Sequence, residues 1–107
     1  MAAKIYAAAG ERILEIWDYT ERSWGEDQAD KYVRGLVGAI NAAEGERHRW
    51  RPVMDDALHG VFFIRYQHHY VFFRELAKHT LGVISILHEN MDIPSRLKED
   101  SATAETE

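Results

Sequence analysis

The 107-residue chain contains no cysteine, which excludes disulfides, thiol nucleophiles and cysteine-ligated zinc or iron–sulfur centres. Proline occurs only at Pro52 and Pro94, where it punctuates rather than forming a linker. No apolar run approaches the roughly 18 residues that a membrane helix requires. The opening Met1–Ala9 stretch has small residues but lacks the apolar core of a secretory leader, so the cytoplasm is the expected compartment. A cationic excess is also missing, with 13 Lys and Arg against 18 Asp and Glu and a net charge of −5. A small domain that grips nucleic acid tightly usually clusters positive charge, because phosphate neutralisation supplies most of the affinity. Neither a Gly-x-Ser-x-Gly elbow nor a phosphate-cradling glycine loop is found. Six histidines are present, but none form a His-x-x-x-His pair. His68 and His69 are adjacent, so in an extended chain they are expected to point to opposite faces. No metal site and no cofactor are expected.

At 46% hydrophobic and 29% charged residues, the chain suits one globular domain, assigned to residues 1–98. The last nine residues carry Glu99, Asp100, Glu105 and Glu107 without a compensating cation. They read as a flexible acidic tail over 99–107.

Residues 3–7 suit a short first strand. From Ala8 to Ser23 the apolar positions Ala9, Ile13, Ile16, Trp17 and Thr20 recur at steps of three and four, the period of an amphipathic helix. Trp24-Gly25 breaks it, the glycine making the turn and the indole expected to plug the corner. A second helix begins near Glu26-Asp27, whose acids favour the positive end of the helix dipole. Its stripe is Ala29, Tyr32, Val33, Leu36, Ile40 and Ala43, and Gly45 suits its end. Residues 46–60 are polar and basic and read as a loop. Three runs of strand character follow: Val61–Tyr66, Tyr70–Arg74 and Leu81–Leu87. Their short connections imply an antiparallel meander. The predicted order is β-α-α-β-β-β, an α+β fold with a helical hairpin on one face of a small antiparallel sheet and the other face free.

Five phrases in this order carry a resemblance: Ile13-Leu-Glu-Ile-Trp-Asp-Tyr19, Trp24-Gly25, Gln28-Ala29 with Tyr32-Val33, Tyr70-Val-Phe-Phe-Arg74, and Ile86-Leu-His-Glu-Asn-Met-Asp92. Together, over residues 3–98, they resemble the ParE branch of the RelE/ParE toxin superfamily of bacterial toxin–antitoxin modules. The resemblance implies the same hairpin-on-sheet fold, with the first strand joining the sheet. It also implies a toxin that inhibits DNA gyrase and is neutralised by a ParD-like antitoxin, which alone contacts operator DNA. RelE-like relatives instead cut messenger RNA on the ribosome, and fold alone does not choose between these activities. A toxin-like chain without activity, serving only as an antitoxin partner, is a third reading. Two departures bear on partner choice: Arg12 stands where many relatives have Asp, and Glu44-Gly45-Glu46-Arg47 replaces an Asn-Pro-x-x-Gly turn.

Metal-free RNA cleavage would need a base, an acid and cations around the phosphate. Arg65, Arg74 and His88 are the residues that could supply them. Glu89 and Asp92 beside His88 would repel that phosphate, so a binding toxin without catalytic residues is preferred. His88 has a structural reading as well, as a cap at a strand end. Arg65 and Arg74 read either as clamps for a carboxylate or phosphate or as edge-of-core arginines whose stems pack. Arg47, Arg49 and Trp50 form the most basic stretch, and with Arg65, Arg74 and His88 they are the candidate target contacts. Three Trp, five Tyr and four Phe are more than so small a body can readily cover. An exposed apolar groove is therefore expected, filled by an amphipathic antitoxin helix that touches Trp17, Tyr32, Val33, Leu36 and Ile40.

Overall fold

A computed structural model describes residues 3–107, apart from the side chain of Lys78. Met1 and Ala2, which open the segment read for a leader, lie outside the described residues. Helix α1 spans Ala7–Trp24 and α2 spans Glu26–Ala43, close to the predicted bounds. Gly25 joins them at φ 95° and ψ 167°, a region open almost only to glycine. Its N–H closes α1 on the Glu21 carbonyl at 2.9 Å. Trp24 does not plug this corner: it is 73% exposed, because the stripe that faces the sheet ends at Thr20 and the indole lies beyond it.

Five strands form one sheet: β1 (Lys4–Ile5), β2 (Arg51–Pro52), β3 (Val61–Tyr66), β4 (His69–Glu75) and β5 (Leu81–His88). Their order across the sheet is β1-β5-β4-β3-β2. The predicted meander is β3-β4-β5, antiparallel throughout. At one edge β1 runs parallel to β5, with Lys4 opposite Gly82 and Ile5 opposite Val83. The residues after Ile5 already turn into α1, so this strand is shorter than predicted. At the other edge Arg51 and Pro52 pair with Phe63 and Phe62. The stretch read as a loop thus supplies a two-residue edge strand, where proline is tolerated.

The largest departure is at the C-terminal end. The acidic segment is not a free tail; it is the second half of α3, Ile93–Glu105. Asp92 precedes the helix and Pro94 lies in its first turn, a position where the missing N–H of proline costs nothing. The helix is held because Leu97 is buried among Val61, Phe72, Ile84 and Leu87, and because its acids meet cations that the sequence alone does not bring near. The sheet is therefore sandwiched. The hairpin covers one face through Leu36, Ile40, Ile64, Val71, Phe73 and Ile86, while α3 covers part of the other. Each large aliphatic or aromatic side chain so buried contributes about 1.5–3 kcal/mol. A register shift between Phe72 and Phe73 opposite Val83–Ser85 breaks strict alternation along β5. No helix among the described residues is long and apolar enough to cross a membrane.

Candidate partner-binding site

The predicted groove exists, but not along the hairpin seam. Leu36 and Ile40 are fully buried because the α2 stripe packs directly on the sheet, so neither is available to a partner. Val33 is half-buried against the same core. Trp17 is wedged between the two helices, its Nε1–H donating to Asp30 Oδ1 at 2.9 Å. Only Tyr32 of the five faces an open cleft.

That cleft lies between α1 and the end of β5. Two hollows of about 440 Å³ and 330 Å³ share Ile16, Tyr19, His69 and His88 and so form one continuous groove. It follows α1 from Arg12 to Trp24, about 18 Å at the rise of a helix. Tyr19 and Leu14 are each 67% exposed, and with Trp24 they leave an apolar fringe on α1 outside its core stripe. Exposed aromatics of this kind on one rim are characteristic of partner anchors.

The floor of the groove is histidine. The two-residue turn between Tyr66 and His69 has Gln67 at φ 51°. It brings His68 to the same cleft as His69, against the expectation from strand alternation. His69 Nδ1 lies 2.7 Å from Tyr32 Oη, and its ring meets His88 edge-on at 5.1 Å. Burial, reinforced by the neighbouring His88 and His68, pushes the His69 pKa down to about 4, so this imidazole is neutral at pH 7. His88 Nδ1 accepts the Asn90 N–H at 3.1 Å, so the ring hydrogen sits on Nε2, which can donate. Among the described residues no group of side chains could hold a metal ion.

The remaining predicted residues are dispersed. Trp50 packs on Phe62 and Phe73 and donates to the Ala43 carbonyl at 2.8 Å, so it is a core anchor. Arg47 lies over its ring at 4.7 Å and pairs with Glu75 through both terminal guanidinium nitrogens, Nη1 and Nη2. This pairing, with His79 adding, holds the Glu75 carboxyl down to about 2. Arg49 pairs with Glu46 on its own single-turn helix at 3.0 Å. Arg65 donates to Glu89 at 2.6 Å. Arg74 reaches Ser101 at 3.2 Å and Glu105 at 3.6 Å on α3.

Arg65, Arg74 and His88 are not brought together. Arg74 is opposite Gly82, whereas His88 is opposite His69, about 16 Å away along β4. Arg74 also contacts α3 on the far face, while His88 lies in the groove on the hairpin side. Sequence reasoning missed Tyr19, His69 and the position of the groove. The available signal was the set of large apolar residues on α1 that its stripe leaves unused.

A further polar junction ties the faces together. Arg12 lines the groove and reaches Asp100 of α3 at 3.4 Å, while Ser85 donates to the same carboxylate at 2.6 Å. Burial works to lower the Arg12 pKa, but the Asp100 and Glu15 carboxylates outweigh it and raise it.

Comparison with known proteins places this architecture. Residues 4–93 match the family described as ParE toxin of type II toxin-antitoxin system, parDE. Toxin ParE1 of Mycobacterium tuberculosis is 34% identical over 90 residues, which cover 84% of this chain and 91% of that protein. Toxin ParE of Escherichia coli is 34% identical over 103 residues, covering 92% and 96%. A solved structure of a chromosomal ParDE system from P. aeruginosa superposes with a TM-score of 0.67 at 17% identity, over 82% of this chain and 95% of that one. The fold is shared with that structure. On the family match and the identity to its curated relatives, the chain belongs to the ParE toxins of type II toxin–antitoxin systems.

Proposed function

We propose that the chain inhibits DNA gyrase by binding it, and that a ParD-like antitoxin silences it by laying an apolar segment into the α1–β5 groove. The observation that carries this reading is the groove, with Tyr19 and Trp24 exposed on its rim and Tyr32 and Ile16 in its wall. Its apolar walls suit the apolar face of an amphipathic helix or strand. The neutral His69 and the His88 Nε2–H add a polar floor that can meet a backbone carbonyl. Family membership favours gyrase as the target, and the toxin would act in the bacterial cytoplasm.

A binding mode rather than RNA cleavage is favoured by the separation of Arg65, Arg74 and His88, since general acid–base chemistry needs its groups within hydrogen-bond reach of one reacting site. The test adds purified chain to gyrase in a supercoiling assay, with and without the antitoxin. Loss of supercoiling, accumulation of gyrase–DNA cleavage complexes and reversal by antitoxin are expected. Tyr19→Asp and Trp24→Asp chains should still inhibit gyrase but escape the antitoxin. Untouched gyrase with cut messenger RNA on expression would replace this reading by the endoribonuclease one. Unimpeded growth would leave only antitoxin binding.

A further inference from the structure

The far face of the sheet holds a second groove that shares no lining residue with the first. Its apolar part, of about 620 Å³, lies between the β3–β4 aromatics Phe63, Tyr70 and Phe72, the Met54–Leu58 loop, and Ile93 and Leu97 of α3. Met54 stands at its mouth, 91% exposed. Through Arg51, Phe63 and Tyr70 this hollow continues into another of about 440 Å³, walled by His48, Arg49 and Arg65. One end of the combined surface is therefore apolar and the other cationic.

The two acids that line it are already occupied. Asp55 is 3.6 Å from Lys98, and Glu89 accepts from Arg65 and contacts His68. Arg51 has no acidic partner among the described residues, and Arg49 has only the exposed Glu46 on its own turn. Among the lining residues the charge left without a partner is therefore positive, that of Arg51, on a chain whose net charge is −5.

We propose that this surface docks an acidic, leucine-bearing segment of a partner polypeptide, with leucines in the apolar hollow and carboxylates on Arg49 and Arg51. Guanidinium groups suit planar carboxylates, and the hollow has room for more than one aliphatic side chain. Single-stranded nucleic acid fits less well, because two of the three rings offer no open face for stacking. Arg65 lies over Tyr70 at 5.5 Å, and Phe72 is buried. The inference does not depend on gyrase being the target or on the α1–β5 groove holding the antitoxin.

The test measures fluorescence anisotropy of labelled probes with the full chain. The probes are a peptide of about a dozen residues with paired leucines followed by glutamates, the same peptide with lysines in place of the glutamates, and a single-stranded oligonucleotide. The acidic peptide is expected to bind, to weaken about tenfold in Arg51→Glu and on raising salt, and to weaken similarly in Met54→Asp. Tyr19→Asp, in the other groove, should leave its affinity unchanged, which separates this site from the antitoxin site. Absence of acidic-peptide binding, equal binding of the lysine peptide, tighter binding of the oligonucleotide, or sensitivity to Tyr19→Asp instead of Arg51→Glu would each overturn the proposal.

Discussion

Replacing Arg12 by methionine is expected to unfasten α3 from the rest of the molecule. Arg12 presents Nε and Nη2 to the Asp100 carboxylate at 3.4 Å, and Ser85 completes the junction at 2.6 Å. Asp100 is only 6% exposed. At an effective dielectric of about 20, unit charges at this spacing attract by about 5 kcal/mol, much of which is offset by desolvation. Methionine keeps the packing of the arginine stem but leaves a buried carboxylate with only the Ser85 hydroxyl. The cost should be about 3 kcal/mol, at the low end for breaking a buried pair, since the contacts are long. Asp100→Leu in the same chain removes the stranded charge, so the double variant should lie within about 1 kcal/mol of the parent. Urea unfolding of the four chains of this cycle gives the coupling directly, and a value of about 2 kcal/mol is expected. Amide exchange should show the loss concentrated in α3, which this junction holds together with Leu97, Ile93 and Ala104 and the Arg74 contacts. A single-variant cost below about 0.5 kcal/mol, or additivity of the two substitutions, would refute a working ion pair.

Further perturbations separate core from surface. Leu36→Ala should cost about 2–5 kcal/mol in urea unfolding, because it opens a cavity in the hairpin core. Trp24→Ala should change stability by no more than about 0.5 kcal/mol while weakening antitoxin binding about tenfold or more by titration calorimetry. Gly35→Ala would normally stabilise a helix by about 1 kcal/mol. Here the added Cβ would stand 2.0 Å from the Tyr66 hydroxyl oxygen, so net destabilisation of about 1–3 kcal/mol is expected, partly relieved by Tyr66→Phe. His69, with its pKa down near 4 in the folded chain and an ordinary value near 6.5 when unfolded, makes stability depend on pH. The unfolded chain binds the extra proton between those values, so this contribution is complete above about pH 6.5 and is lost as pH falls towards 4. Allowing for solvent at the half-buried ring, the loss should be about 1–2 kcal/mol. A His69→Phe chain unfolded in urea across this range should show a flatter profile, and an NMR titration placing His69 near 6.5 would remove the effect.

The hairpin and the meander were legible because their signals are local. The apolar spacing in α1 and α2 and the runs of β-branched and aromatic residues in β3, β4 and β5 match the period of each element. The phrase around His88 and the Trp24-Gly25 corner then pointed to the family. What escaped depends on neighbours distant in sequence. β1 and β2 have two residues each and exist only by pairing with β5 and β3. Residues 99–107 read as a solvated tail because they are small, polar and acidic with no cation among them, and Arg12, Arg74 and Ser85, which hold them, lie far away along the chain. Pro94, two residues after Asp92, is a sign of a helix start that its reading as punctuation left unused. The seam residues were picked as a partner surface on the same local logic. Periodicity identifies which face of a helix is apolar, but the sheet beneath it had already taken Leu36 and Ile40. The open groove was carried instead by residues such as Tyr19 and Trp24 that fall off the stripe.

The parallel pairing of β1 with β5 also has a kinetic meaning. Lys4 and Ile5 wait for Gly82 and Val83, almost the whole chain later, and α1 rests on that same late strand. Two helices can form early, as local contacts do, but the sheet edge they need closes only at the end, when loop-closure entropy is greatest. During synthesis, which proceeds from the N-terminus, the α1–β5 groove has no second wall until β5 has emerged. If the antitoxin docks there as proposed, one already present in the cell would meet that surface at the moment it first comes into being.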